Sequence, residues 1–235
     1  MEATGVYPTQ LADYLFSKSV FVSVVNPLVI QMNLRRIKTD NADAEMICKY
    51  AQSHQMKAYK PSPVYVRESR IICENVDLLI KSRIMFKNRL HAMKHESEKH
   101  RAILIRPLEK TISELNNQIE KLEKELRRLI EENDSDLFSR LQTIPGIGES
   151  TAMFMIVLSD GFKKFESAKQ FTCYIGMSPV EKRSGYGAGG RSGISKQGNP
   201  KLRNLLFMCS FNACKSHKAC RELYERIVAK GKSKK

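Results

Sequence analysis

From Leu108 the apolar residues Ile112, Leu115, Ile119, Leu122, Leu126 and Leu129 follow one another at alternating steps of four and three. A strand cannot use that spacing, because its side chains alternate with period two. On a helix the same spacing lays one continuous apolar seam along one side. The middle of the chain must therefore be a long helix, and the seam must be covered. The segment from about Val64 to Arg106 supplies Cys73, Val76, Leu79, Ile80, Ile84 and Leu90 for a partner helix. The chain folds back on itself as a helical hairpin, or a second copy docks as a coiled coil in a dimer or tetramer. The sequence leaves both open.

On either side of this arm, residues 64–136, the patterns change. Residues 1–63 read as an α/β unit. Leu11, Tyr14 and Leu15 have helical spacing within 9–18, and "VFVSVV" at 20–25 reads as a buried strand closed by Asn26-Pro27. A further helix is expected over Asp40 to Ser53, with Ala44, Ile47, Cys48 and Ala51 on its inner face. Residues 137–235 read as a second, mostly helical unit. It opens on "LQTIPGIGESTAMFMIVL" (141–158), a helix end, a Pro-Gly-x-Gly turn and an apolar helix, the pattern of a helix-hairpin-helix. Gly146 and Gly148 in that turn would expose backbone N–H groups to a phosphate at the next helix N-terminus. The run "LRNLLFMCSFNAC" (202–214) reads as a core helix, and "AKGKSKK" as a solvated tail.

The chain carries a net charge of +15, and its distribution says more than the total. From Lys182 to Lys235 there are 14 bases against two acids, so +12 of the +15 lies in the last 54 residues. Such a footprint points to a polyanion, most simply nucleic acid. Within it, six of the 12 glycines fall between Gly185 and Gly198, interleaved with Lys182, Arg183, Arg191, Lys196, Lys201 and Arg203. Backbone amides and cations together suit a phosphate backbone. Three serines, Ser184, Ser192 and Ser195, share this loop, and composition does not separate them. The six cysteines show no CxxC pair and no zinc-finger spacing, so free thiols in a reducing cytoplasm are expected. No run approaches a membrane span, so a cytoplasmic protein is expected.

Asp40 and Asp43 stand three residues apart at a helix start, on one face and within reach of a shared divalent ion. Acids at a helix N-terminus are also favoured by the dipole alone. In a chain that binds polyanions, though, a carboxylate pair repels the partner unless a cation lies between them, and metal-assisted phosphoryl transfer supplies one.

The motifs "EATGVY" (2–7), "VVNP" (24–27) and "KTDNADA" (38–44), a long helical region, "IPGIGESTA", "YIGMSPVEKRSG" and "ISKQGNPKLR" occur in that order. Together they resemble the transposases of insertion-sequence family 110, the DEDD recombinases. The resemblance implies a RuvC-like (RNase H-like) α/β domain, here partial, contributing Asp, Glu, Asp and Asp. It also implies a coiled-coil insertion and a second domain contributing a serine. Glu2, Asp40 and Asp43 match the last three acids, which would hold Mg²⁺ or Mn²⁺, and Ser184 in "KRSG" matches the serine that attacks DNA. The implied function is DNA transposition by site-specific recombination, on double-stranded DNA and under a structured guide RNA.

Two departures from the family pattern stand out. The family's first aspartate lies on a strand before the EATG motif, where this chain has only Met1, and the family continues beyond the "AKGK" region. The sequence is thus expected to be a fragment, an internal start or a decayed copy, and as given to bind nucleic acid without cutting it. The alternatives to a working transposase are a non-catalytic nucleic-acid-binding remnant of one and a Holliday-junction nuclease, the latter leaving the serine loop without a role.

If the loop is the electrostatic footprint, replacing Lys182, Arg183, Arg191 and Lys196 by Ala together should weaken DNA binding. It should also flatten the slope of log affinity against log salt by about one unit for each phosphate that is no longer neutralised. Fluorescence-anisotropy titrations at several salt concentrations read both.

Overall fold

The computed structural model describes residues 1–3, 7–30, 39–96, 101–180 and 193–231. They divide into two compact units, Met1–Pro63 and Val64–Lys235.

The first unit contains helices α1 (Tyr7–Ser17), α2 (Pro27–Ile30) and α3 (Asp40–Ser53). The expected strand over 20–25 is reduced to a single parallel bridge between Glu2 and Val25. Val25 N–H donates to Met1 O at 3.0 Å, Ala3 N–H to Val25 O at 2.9 Å, and Tyr59 N–H to Val22 O at 2.7 Å. Val22 is buried while Phe21 stays 66% exposed. A strand buried on both faces needs neighbours on both edges and cover on both faces. Here the Met1 amino group adds a contact to Ser23 O at 2.8 Å, but among the described residues, 20–25 pair in no ladder longer than the one bridge. Helix α3 starts where expected, but none of its residues is buried. Its half-covered side runs through Ala42, Asp43, Met46, Ile47 and Tyr50 rather than through Ala44, Cys48 and Ala51.

The second unit holds α4 (Val64–Glu96), α5 (Arg101–Gln142), α6 (Glu149–Ser159) and α7 (Ala168–Tyr174). Strands β1 (Pro179–Val180) and β2 (Gly193–Ile194) follow, then α8 (Pro200–Ser216) and α9 (Lys218–Ala229). Helices α4 and α5 fold back on each other within the chain. Tyr65 meets Asp134 at 2.8 Å, Arg83 meets Asn116 at 3.0 Å and Lys94 meets Glu109 at 3.8 Å, so one residue number rises as the other falls and the pair is antiparallel. The seam faces inward as its spacing demands. Ile112, Ile119, Leu126 and Leu129 are buried, with Leu108, Leu115 and Leu122 half-buried between them. On α4, Val66, Ser69, Cys73 and Val76 answer at steps of three, four and three. Ile84, expected on this face, lies half exposed on the other side, and the inner position nearby belongs to Arg83.

Helix α5 is long but not continuous, because Asp134 leaves the helical region at φ −137°, ψ 34°. Tyr65 donates its hydroxyl to the Asp134 carboxylate at that break. Burial, then the hydrogen bond to Asp134, push the Tyr65 phenol above its ordinary range.

The core continues without interruption from this helix pair into α6. Cys73, Val76, Leu126 and Ile130 pack in one cluster with Met153, Phe154, Ile156, Ile175 and Leu202. Burial pushes the Cys73 thiol up to about 12, which keeps it protonated and inert. Helix α8 is covered on one side only rather than being a core helix, since Leu202 and Cys209 are buried while Phe207, Met208 and Phe211 are exposed. Among the described residues, no helix is long and apolar enough to cross a membrane.

Two substitutions on the helix pair separate the contributions of shape and polarity. Leu126, 0% exposed, should lose about 2–5 kcal/mol of stability as Leu126→Ala through the cavity left behind. The Ser69 hydroxyl is buried with no hydrogen-bond partner among the described residues, so Ser69→Ala should gain about 1 kcal/mol. Urea denaturation of the two variants should move the midpoint in opposite directions.

Candidate nucleic-acid interface

The glycine-rich loop is held at both ends. Strands β1 and β2 pair antiparallel, Pro179 with Ile194 and Val180 with Gly193. Residues 181–192 join them and lie outside the described residues, and with them Ser184, Ser192, Lys182, Arg183 and Arg191. The stem runs on below the strands. Ser195 N–H donates to Ser178 O at 2.9 Å, Lys196 N–H to Gly176 O at 2.9 Å and Asn199 N–H to Tyr174 O at 3.0 Å. The two sides approach so closely that a Cβ on Gly198 would sit 2.6 Å from Gly176 N. "YIG" and "QGNP" are thus two halves of one backbone contact.

Helix α8 starts immediately after the stem, and its first turn secures it. The Asn199 side chain caps the helix by accepting from the Lys201 and Leu202 N–H groups at 3.0 and 3.1 Å, with Pro200 in the first position. Arg203 donates through Nη1 to Ile175 O at 2.9 Å and Lys196 O at 3.4 Å, tying the two sides of the stem. Lys201 reaches down to α4, where it pairs with the Asp77 carboxylate and lies over the Phe154 ring at 4.8 Å. Burial acts to raise the Asp77 carboxyl, but Lys201 and Lys81 together outweigh it and hold it below its usual range.

The cations singled out in the sequence therefore differ in what they can do. Lys201 pairs its charge with Asp77, and Arg203 uses Nη1 to bridge the two sides of the stem. Lys196 has an exposed side chain, on a left-handed backbone at φ +57° held by its N–H on Gly176 O and by the Arg203 side chain on its carbonyl. The sequence carried no sign of the Asp77–Lys201 pair, because its partners lie 124 residues apart.

The turn between α5 and α6 also separates its two glycines. Gly146 has φ +93°, and a Cβ there would stand 2.5 Å from Cys209 O and 3.1 Å from Ala213 N. This glycine lets the turn press against the backbone of α8. Gly148 is open, with nothing within 4 Å of a Cβ, and it precedes α6 without a side-chain cap. Glu149 occupies the first turn of α6 and pairs with Arg127 at 3.0 Å, so an anion arriving there would meet a carboxylate.

In the first unit, Thr39 caps α3 by accepting from Ala42 N–H at 3.3 Å, and Asp40 and Asp43 fill its first turn. Asp40 is exposed, Asp43 half-buried. Their hard oxygen donors suit Mg²⁺ chemically. Glu2 sits on the bridge to Val25, and among the described residues no three His, Cys, Asp or Glu side chains converge into a metal-holding group. The structure brings two of the three expected carboxylates onto one helical turn, and Glu2 stands apart from such a group.

Two family models match the chain. One, described as a transposase of the DEDD IS110 type, covers residues 1–94. The other, described as the transposase IS116/IS110/IS902 family, covers residues 138–225. The pilin gene-inverting protein of Moraxella lacunata is 29% identical over 245 residues, spanning 100% of this chain and 73% of that protein. The transposase for insertion sequence element IS1328 of Yersinia enterocolitica is 28% identical over 216 residues, 80% of this chain and 63% of its own length. The transposase for element IS1111A of Coxiella burnetii is 26% identical over 212 residues, covering 78% and 57% respectively.

The two turn glycines should respond differently to a methyl group. Gly146→Ala should cost at least about 1–3 kcal/mol, since strain at positive φ adds to the clash with α8. Gly148→Ala, at φ −85° in open space, should change stability by no more than about 1 kcal/mol. Thermal unfolding followed by circular dichroism checks the pair.

Proposed function

The chain belongs to the insertion-sequence 110 family of transposases, and from that premise we propose that it acts on double-stranded DNA in transposition or site-specific inversion. The observation that carries this reading is the order of the two family matches, one over the Asp40–Asp43 region and one over the stem of the serine loop. Named relatives do both kinds of work, as transposases and as a pilin gene-inverting protein.

In this reading Ser184 is the nucleophile. Its Oγ forms a bond to a DNA phosphorus, the bond from phosphorus to one sugar oxygen breaks, and the serine proton leaves to solvent while the sugar oxygen takes one up. The product is a phosphoserine ester that preserves the energy of the broken bond for rejoining to a new strand end. Asp40 and Asp43, with Glu2, would hold Mg²⁺ or Mn²⁺, which when bound offsets charge on the scissile phosphate. Lys182, Arg183, Arg191 and Lys196 would hold the phosphate backbone, and Gly148 would leave room for it at the start of α6, where Arg127 offsets the Glu149 carboxylate. Lys201 and Arg203 act one step back, by fixing the stem from which the loop springs. A structured guide RNA would share the basic surface, and a second copy would complete the assembly.

A second reading, binding without cutting, draws on the position of Glu2 outside any three-acid group among the described residues. One experiment separates the two. Under the first reading, the chain incubated with labelled double-stranded DNA and Mg²⁺ should give a covalent adduct on a denaturing gel. Ser184→Ala should abolish it, Ser192→Ala and Ser195→Ala should keep it, and Asp40→Asn or Asp43→Asn should lower it at least about a hundredfold. Adduct persisting in Ser184→Ala would remove that serine from the role, and DNA binding with no adduct in the unaltered chain would establish the second reading.

A further inference from the structure

Three of the five histidines fall between residues 91 and 100, where α4 ends and the chain turns toward α5. Two of them are described, His91 and His95, and they stand at i and i+4 on one face of α4. Their ring centroids are 4.7 Å apart and the planes tilt by 58°. Both side chains are exposed, whereas Leu90 and Met93 beside them turn toward the helix pair and are half-buried. Lys94, the intervening cation, is ion-paired with Glu109 of α5 at 3.8 Å. Nothing in the proposed recombination chemistry uses these imidazoles.

We propose that His91 and His95 form a two-imidazole site for a borderline divalent transition ion, of the Zn²⁺ or Ni²⁺ class, at the end of the helical arm. Side chains four apart on a helix lie roughly 5–6 Å apart at Cβ, so two ring nitrogens converge within the roughly 2.0–2.1 Å reach of one such ion. Neutral nitrogen ligands suit that class and not Mg²⁺, which takes oxygen donors. This separates the site by chemistry from the Asp40–Asp43 carboxylates. Among the described residues, no third His, Cys, Asp or Glu joins the pair into a larger group, so the two imidazoles carry the site. Chelation across one turn links ion binding to the helical state of the last turns of α4, because the ion binds the two rings together only while that turn is formed.

Calorimetric titration of the full chain with NiCl₂, in a reducing buffer that keeps the six thiols free, tests the proposal. The unaltered chain should bind one ion through this pair. His91→Gln and His95→Gln should each weaken that binding at least about tenfold, and the double variant should remove it. His54→Gln and His217→Gln should leave it unchanged. Circular dichroism should show the variants as folded as the parent, since both rings are exposed. Ni²⁺ affinity unchanged in the double variant would overturn the proposal, as would a parent chain that takes up no more Ni²⁺ than the double variant.

Discussion

The second unit is organised around one requirement, the enclosure of α6. Six consecutive residues, Ala152 to Val157, are buried there. Six in a row exceed a helical turn and a half, so no side of this helix is free to face water. A helix apolar on every side must be surrounded, and α4, α5 and α8 do so. The inner seam of the arm is thus more than a zipper between two helices, because its lower half supplies two walls of the α6 cage. Core truncations in α4 or α5 therefore act on the C-terminal helices as well.

That enclosure also explains how a basic segment is fixed onto an apolar core. Lys201 enters the structure over Phe154 of α6 and ends on Asp77 of α4, and this links the third wall, α8, to the other helices. A charge carried that far inward is tolerable only when paired, and Asp77 answers it while Lys81 shares the carboxylate. Once α8 is fixed, Asn199 and Arg203 in its first turn set the stem. Gly176 and Gly198 then allow the two sides to touch. The two ends of the segment 181–192 are in this way anchored through a chain of contacts that begins in the hydrophobic core.

The first unit is built on weaker terms. Ala12, Val22 and Ile30 are its buried apolar residues among those described. Its acids gain their placement from a local device, the Thr39 cap and the first turn of α3, rather than from a sheet. A carboxylate pair of this kind is oriented by helix geometry alone, so its distance to Glu2 depends on backbone outside that helix.

What could be read from the residues in advance was whatever depends on local periodicity and local caps. The seam from Leu108 to Leu129, the start of α3 at Asp40 and the apolar α6 all follow from spacing and capping chemistry within a few residues. The strand over 20–25 and the inner faces of α3 and α8 did not come out as expected, because a face becomes buried only when another element covers it. Which partner covers the seam was likewise undetermined by its spacing, and the folded chain supplies α4. Gly146 looked like a phosphate cradle by its motif and is a packing contact with α8. Lys201 and Arg203 looked like free cations and are internal ties. Sequence alone determined the kinds of element, the charge and the candidate chemistry; the tertiary structure decided which charges are paired, because whether Lys201 meets the half-buried Asp77 depends on a residue more than a hundred positions away.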